Sequence, residues 1–238
     1  MRRSLKPAVG LTCAVVLACA ACSSGGDDSA ATDRTAPPKA ESAAPSRGTS
    51  STLFAPYVSA TTASDTDSAG SPSTYNLEFV LSNGTNCAPK WSGTYPVSNS
   101  AVRTRIDALK QSGAAVRVSF GGATGTELAQ TCDSASALAE AYGKALDAAG
   151  ATQADFDVEG DALTDSAWIA RRSQAIAVLQ KERADLKVSF TLPVTPKGLD
   201  ADALAVLDSA DTNAVKVSTV NIMAMDYGTK SDHQPGYG

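Results

Sequence analysis

Apolar residues follow two alternating patterns along residues 53–225 of this 238-residue chain. Short runs rich in β-branched residues predict strands, and stretches with apolar residues three or four positions apart predict helices between several of them. The predicted strands are residues 53–59, 75–81, 115–120, 154–159, 186–192 and 215–225, and the predicted helices are residues 101–111, 135–149, 167–186 and 201–207. This alternation favours βα units around a parallel sheet. In the absence of a nucleotide-binding fingerprint, it predicts an α/β fold of the TIM-type (β/α)8 barrel class, with about six of the eight units present.

The predicted helices carry start and stop signals. Serine, asparagine and aspartate side chains can accept hydrogen bonds from the first free N–H groups of a helix, and glycine adopts the left-handed conformation that ends one. The candidates are Ser98 or Asn99 before the first helix, Asp165 or Ser166 before the third, and Gly113 and Gly150 after the first two.

The N-terminus has the pattern of an export signal. Arg2, Arg3 and Lys6 precede an apolar run over residues 8–21. The run is too short to span a bilayer and carries its charge on one side only. Residues 1–21 are therefore predicted to be a signal peptide and are left out of the fold.

The end of the signal peptide is similar to the processing site of bacterial lipoproteins. Small residues precede Cys22, and a Ser- and Gly-rich stretch follows it. The similarity implies a lipoprotein signal peptide and a diacylglycerol on the Cys22 thiol, which would anchor the protein at the extracellular face of the cell membrane. Cys19 is the alternative lipidation site, and plain secretion is the alternative to lipidation.

Three segments follow from these patterns. After the signal peptide, residues 22–50 are rich in Ser, Ala, Gly and Pro and show no periodicity, which predicts a flexible tether. Residues 51–238 form the predicted barrel domain. The net charge of −5 becomes −8 once the three basic residues of the signal are removed. An acidic chain without a basic cluster makes nucleic-acid binding a poor fit.

Three acids alternate along the fourth predicted strand. Asp155, Asp157 and Glu159 share one face, while the apolar residues between them share the other. Because the apolar face is expected to meet the helices, the acids are expected to point into the barrel. Stacked carboxylates raise each other's pKa, which can keep one protonated near neutral pH as a general acid requires. The alternatives are an edge strand with a solvated acidic face or a divalent-cation site.

Three motifs, in order, resemble family 18 of the glycoside hydrolases, which comprises chitinases and related endo-N-acetylglucosaminidases. In chain order they are Ser119-Phe120-Gly121-Gly122 on the third predicted strand, Asp155-x-Asp157-x-Glu159 on the fourth, and Met223-Ala224-Met225-Asp226-Tyr227 on the sixth. The similarity runs from about residue 53 to residue 228. The segments Phe54-Ala55-Pro56-Tyr57 and Leu192-Pro193-Val194 resemble the bacterial chitinase branch in particular.

The resemblance implies a retaining hydrolase of β-1,4-linked N-acetylglucosamine polymers. Glu159 would be the general acid/base, and the N-acetyl oxygen of the substrate would be the nucleophile. Asp157 would orient the acetamido group and share a proton with Asp155. Asp226 and Tyr227 would form hydrogen bonds around the acetamido group and the Glu159 carboxyl. Gly121, Gly122 and Met223 would lie at the substrate-binding site, and neither a cofactor nor a metal is expected.

The resemblance leaves other hypotheses open. A non-catalytic, lectin-like carbohydrate-binding protein on the same scaffold is the alternative, although such relatives commonly replace the acid found here at Glu159. The few residues after Tyr227 predict that the last two strands of the barrel are missing, so the chain is expected to be C-terminally incomplete or an inactive remnant. A monomer that binds GlcNAc-containing polysaccharides or oligosaccharides is expected.

Three further residues are candidates for a role. Cys87 and Cys132 lie outside the signal, and in an exported domain they most simply form a disulfide, with a metal site as the weaker alternative. Trp91 follows Cys87 on the predicted upper face, where it would either stack on a sugar ring or cover the rim of the barrel.

Overall fold

The structure is a computed structural model that describes residues 54–227, except residues 66 and 68. The predicted signal peptide, the tether, the lipidation candidates Cys22 and Cys19, and residues 228–238 lie outside the described residues and stay predictions. Among the described helices, none is both long and apolar enough to cross a membrane.

Within residues 54–227, eight strands form one sheet, and six of them are the predicted ones. They are β1 (Tyr57–Ser59), β2 (Thr74–Leu81), β3 (Lys90–Trp91), β4 (Tyr95–Pro96), β5 (Ala115–Gly121), β6 (Gln153–Asp157), β7 (Lys187–Pro193) and β8 (Val217–Met223). The sequence pattern missed β3 and β4, which have two residues each and so leave no detectable alternation.

All strands except β3 and β4 pair in parallel, in the order β1, β2, β5, β6, β7, β8. The β3–β4 hairpin pairs antiparallel with the end of β2. This is the strand order of a TIM-type barrel, and within the described residues β1 and β8 do not pair, so the barrel is open between them. The acid-bearing strand β6 lies between β5 and β7, so the edge-strand alternative for the three acids is wrong.

Six helices lie between the strands in the described part of the chain. They are α1 (Ser100–Lys110), α2 (Leu128–Thr131), α3 (Ala135–Ala149), α4 (Asp161–Thr164), α5 (Ser166–Glu182) and α6 (Ala201–Thr212). The predicted caps are confirmed as Asn99 for α1 and Asp165 for α5, since each side chain accepts hydrogen bonds from two main-chain N–H groups of its helix. Gly150 ends α3 in the left-handed conformation, as predicted.

A layer of aromatic rings joins the sheet to the helices. The rings of Phe120, Phe156 and Phe190 come from three neighbouring strands, with centroids 5.3 and 5.7 Å apart. Tyr142 of α3 packs against Phe156 at 5.1 Å in an edge-on arrangement. Because Phe156 lies between Asp155 and Asp157 and faces the helices, the two aspartates face the barrel interior. The predicted inward orientation of these acids is confirmed.

Cys87 and Cys132 form a disulfide, as predicted. The bond joins the segment after β2 to the end of α2, and thereby holds together two loops on the same side of the sheet. Cys132 is buried. The metal-site alternative for this pair is therefore wrong.

Candidate active site

Asp155 lies at the centre of a cradle of hydroxyl groups. Its Oδ2 accepts hydrogen bonds from Tyr57 at 2.9 Å and Ser119 at 2.7 Å, and its Oδ1 accepts from Ser189 at 2.7 Å and Thr191 at 3.0 Å. The register explains this set, because Ser119, Asp155 and Ser189 are directly paired on three adjacent strands. Four donors satisfy the buried carboxylate without any cation.

The cradle extends to β1 and β8. The Tyr57 hydroxyl lies 2.8 Å from the Thr191 hydroxyl, and the Asn221 side-chain amide donates to Thr191 Oγ1 at 3.1 Å. Burial, followed by the charge of Asp155, raises the pKa of Tyr57 far above its ordinary value. Tyr57 therefore keeps its proton and remains a donor to Asp155 over the whole physiological range.

Asp157 is the acid whose protonation is most altered. It is buried, and its Oδ1 has no hydrogen-bond partner among the described residues. Burial raises its pKa to about 8, with further increases from Glu159 and Asp155. This favours a protonated Asp157 at neutral pH, with burial as the first cause and the neighbouring carboxylates adding to it.

Each Asp155 oxygen accepts hydrogen bonds from two hydroxyl groups. The sharing of a proton between Asp155 and Asp157, which the resemblance implies, stays a prediction.

Glu159 lies two residues beyond Asp157, just after β6 ends, and is half-buried. Gly160 follows with a φ of 54°, and α4 begins immediately after it. The main-chain carbonyl of Glu159 accepts a hydrogen bond from the Ala162 N–H at 3.2 Å. The position of Glu159 therefore depends on the turn that follows it as well as on the strand that precedes it.

A cleft of about 640 Å³ opens at the carboxyl ends of the strands and brings most of the predicted site together. Asp157, Glu159, Met223, Asp226 and Tyr227 line it. Tyr57, Phe79, Ala123, Thr191, Met225 and the segment 193–196 complete its walls. Active sites of TIM barrels occur at this end of the strands. Within the described residues, Asp226 and Tyr227 form no hydrogen bond with the three acids, so their specific roles stay predictions.

Gly121 and Gly122 shape the site without lining the cleft. A Cβ on Gly121 would lie 2.1 Å from the Asp157 carbonyl oxygen, and a Cβ on Gly122 would lie 2.8 Å from the Phe79 ring. The Gly122 N–H donates to that same Asp157 oxygen at 3.0 Å. The structure thus gives these glycines a packing function next to Asp157, and their assignment as substrate-binding residues stays a prediction.

Trp91 is wrongly predicted as a substrate-binding residue. Its side chain is fully buried, with 0% exposure, in β3, where it pairs with Val80 of β2. An indole ring enclosed in the core has no face available for a sugar. The rim-covering alternative is closer to what is found.

Sequence reasoning missed most of the hydroxyl cradle. Tyr57 and Ser119 belong to two of the family-like motifs, at residues 54–57 and 119–122. Ser189, Thr191 and Asn221 belong to none. The available signal was the alternation in β7, where Ser189 and Thr191 occupy every second position between apolar residues. Among the described residues, no group of three His, Cys, Asp or Glu side chains is placed to hold a metal ion.

The fold and the site define a TIM-type barrel in which three acidic residues, Asp155, Asp157 and Glu159, lie at the carboxyl end of the fourth parallel strand. The chain is similar to chitinases. It is 35% identical over 186 residues to a probable bifunctional chitinase/lysozyme of Escherichia coli (strain K12), covering 74% of this chain and 21% of that protein. It is 33% identical over 186 residues to endochitinase 11 of Metarhizium anisopliae, covering 74% of this chain and 35% of that protein. The chain thus spans about a fifth and about a third of the length of these relatives.

A solved structure shares the fold. Active domain 2 of the thermostable chitinase from Pyrococcus furiosus, whose catalytic-site mutants were crystallised with chito-oligosaccharides, superimposes with a TM-score of 0.62 at 29% identity. The match covers 73% of this chain and 57% of that one. No protein-family model matches the chain.

Proposed function

We propose that the chain belongs to family 18 of the glycoside hydrolases and cleaves β-1,4-linked N-acetylglucosamine polymers of the chitin type with retention of configuration. Its similarity to two proteins named as chitinases supports the substrate class. The complex of the Pyrococcus furiosus domain with chito-oligosaccharides supports the same class of ligand.

The observation that carries the proposal is the buried Asp157 next to Glu159, both lining the cleft, with the Oδ1 of Asp157 unpartnered among the described residues. Because the pKa of Asp157 is raised to about 8, the pair formed by Asp157 and Glu159 holds a proton at neutral pH without any basic partner. General acid catalysis requires a proton held at this place, facing the cleft in which a glycosidic oxygen can lie.

The described residues take the following roles in the proposed reaction. Glu159 protonates the glycosidic oxygen as its bond to the anomeric carbon breaks, and the N-acetyl oxygen of the same sugar forms a new bond to that carbon. When substrate binds, the proton of Asp157 moves to Glu159 along the hydrogen bond between their side chains. The ionised Asp157 then accepts the acetamido N–H and stabilises the resulting oxazolinium ion. Water then attacks the anomeric carbon as the bond from that carbon to the acetamido oxygen breaks, and the Glu159 carboxylate takes up a proton from the water. Two displacements on one carbon retain the configuration.

Export is part of the proposal. The signal-like N-terminus and Cys22 support a lipid-anchored protein at the extracellular face of the membrane, and secretion is the variant without the lipid. The Cys87–Cys132 disulfide is consistent with an oxidising compartment. A monomeric enzyme in that place would meet GlcNAc-containing polymers from outside the cell.

The test is hydrolysis of fluorogenic chitobiose and chitotriose by the purified full chain and by Glu159→Gln. We expect turnover to fall by about 100- to 10 000-fold in the variant, since it loses the proton donor and keeps the shape of the side chain. Glu182→Gln, an exposed change at the end of α5, is the matched control and should keep wild-type turnover.

Two outcomes would overturn the proposal. Equal turnover in Glu159→Gln and the wild type would remove Glu159 from the mechanism. Absence of turnover in the wild type, together with measurable binding of chitotriose, would favour the lectin-like carbohydrate-binding alternative.

A further inference from the structure

A buried arginine ties together the two loops that follow β5 and β6. Arg172 of α5 has 0% exposure, and its Nε donates to Glu127 Oε1 at 2.7 Å while its Nη2 donates to Glu127 Oε2 at 2.5 Å. Glu127 lies between the glycine-rich loop after β5 and α2, and it is itself buried. The ion pair therefore attaches α5 to the loop on the β5 side of the cleft.

The same guanidinium also reaches the turn after Glu159. Arg172 Nη2 donates to the Ala162 carbonyl oxygen at 3.1 Å, and the Ala162 N–H donates to the Glu159 carbonyl oxygen at 3.2 Å. Since β6 ends at Asp157, no strand pairing extends to Glu159. The path from Glu159 through Ala162 to Arg172 provides a fixed point for the backbone just beyond the strand.

We propose that Arg172 is a positioning residue for Glu159, acting through the Ala162 carbonyl with Glu127 as its fixed support. The expected effect on turnover rests on the proposed function, in which Glu159 is the general acid. A carboxyl displaced by about 1 Å from its reacting atom can lose a factor of about 100 in rate, so an anchor three residues away affects turnover without touching substrate.

The two contacts of Arg172 can be separated by mutation. Glu127→Gln leaves Arg172 and its bond to Ala162 in place, but it leaves the buried guanidinium without its counter-charge, so stability should fall. The double variant Glu127→Leu with Arg172→Met removes both charges and keeps an apolar volume, which is often neutral for stability. In the double variant the Ala162 carbonyl loses its side-chain donor.

We expect each of these two variants to lower one of the two quantities, stability or turnover, and to leave the other nearly unchanged. Glu127→Gln should have a lower Tm and a kcat within about threefold of wild type, whereas the double variant should have a Tm near wild type and a kcat lower by about 10- to 100-fold. The KM for chitotriose should change by less than about threefold in both, because neither residue lines the cleft. Arg171→Met is the matched control, since Arg171 bonds the Ala129 carbonyl of α2 and does not contact the turn after Glu159.

A second measurement does not depend on activity. Amide hydrogen exchange at Ala162 and Leu163, whose N–H groups bond the Glu159 and Gly160 carbonyls, should become faster in the double variant while β6 stays protected. A kcat that follows Tm across the variants, or unchanged exchange at these two amides, would overturn the proposal. A wild type without turnover would overturn the proposed function and with it the catalytic part of this inference. In that case the exchange rates still decide whether Arg172 holds the turn.

Discussion

Gly121 and Asp157 approach each other so closely that a Cβ on Gly121 would lie 2.1 Å from the Asp157 carbonyl oxygen. Gly121 also has a φ of 101°, which other residues rarely adopt. We therefore predict that Gly121→Ala lowers the free energy of unfolding by about 2–4 kcal/mol and displaces Asp157, with a loss of turnover. Urea denaturation and the fluorogenic assay measure the two effects.

Gly113→Ala is the matched control for this change. Its φ of 86° is similarly strained, but nothing lies within 4 Å of the added Cβ. It should cost about 1–2 kcal/mol from backbone strain and leave turnover unchanged. Equal losses of turnover in the two variants would contradict a specific contact between Gly121 and Asp157.

The raised pKa of Asp157 predicts an unusual dependence of stability on pH. The folded protein binds this proton with a pKa of about 8, whereas the unfolded chain binds it near the ordinary value of 3.8. Below pH 4 both states are protonated, so the group has no effect. Between pH 4 and 8 the folded state keeps a proton that the unfolded state has lost, so stability falls by about 1.4 kcal/mol for each pH unit.

Asp157→Asn removes this dependence and should be more stable than wild type at pH 7, by an amount that shrinks toward pH 4. Thermal unfolding from pH 4 to 9 measures the difference. Asp147→Asn is the control of opposite sign, because the hydrogen bond from Arg183 lowers the pKa of Asp147. That contribution is present at neutral pH and lost as the pH falls, so Asp147→Asn should be less stable at pH 7. A pH-independent effect of Asp157→Asn would show that its folded-state pKa is ordinary.

The hydroxyl cradle predicts that serines of equal burial differ in their contribution to stability. Ser189 donates to the Asp155 carboxylate at 2.7 Å, whereas Ser173 pairs with the neutral Ser209 hydroxyl at 2.9 Å. Ser189→Ala should cost about 1.5–3 kcal/mol, and Ser173→Ala about 0.5–1.5 kcal/mol, because hydrogen bonds to charged groups are stronger. Denaturant midpoints compare them directly. A larger cost for Ser173→Ala would contradict a stronger hydrogen bond from Ser189 to Asp155.

The disulfide predicts equal effects of three variants. Cys87→Ala, Cys132→Ala and the double variant all lose the same cross-link over a separation of 45 residues, which contributes about 2–4 kcal/mol. All three should therefore unfold at similar denaturant concentrations, below wild type, in a non-reducing buffer. Adding a thiol reductant should lower the wild type to the same midpoint and leave the variants unchanged. A wild type insensitive to reductant would contradict a stabilising bond.

The features of the fold that could be predicted from the sequence are those set by residues close together along the chain. The alternation in β6 was enough to place Asp155 and Asp157 inside the barrel and Phe156 against the helices, because a strand has only two faces. The capping side chains of Asn99 and Asp165 were equally local. Each of these features depends on residues within a few positions of one another.

Features that depend on register between strands could not be obtained in this way. The cradle exists because β5, β6 and β7 pair with Ser119, Asp155 and Ser189 at one level, and a shift of one residue would break it. The burial of Trp91 likewise depends on its pairing with Val80 across the short β3–β4 hairpin. The link from Arg172 to Ala162 joins residues that are close in sequence, but only the packing of α5 on α4 reveals it.

The neutral composition of the cradle has a consequence for the polymers that can enter. All four donors to Asp155 are uncharged, and none of the ion pairs among the described residues includes Asp155, Asp157 or Glu159. The described side chains that line the cleft include carboxyl groups and no Lys, Arg or His, so a ligand that carries carboxylate or sulfate groups finds no cationic partner there. An uncharged polysaccharide needs no such partner, and its binding should be insensitive to salt, whereas an anionic polymer should need high ionic strength to approach. The cleft therefore acts as an electrostatic filter before any sugar is recognised.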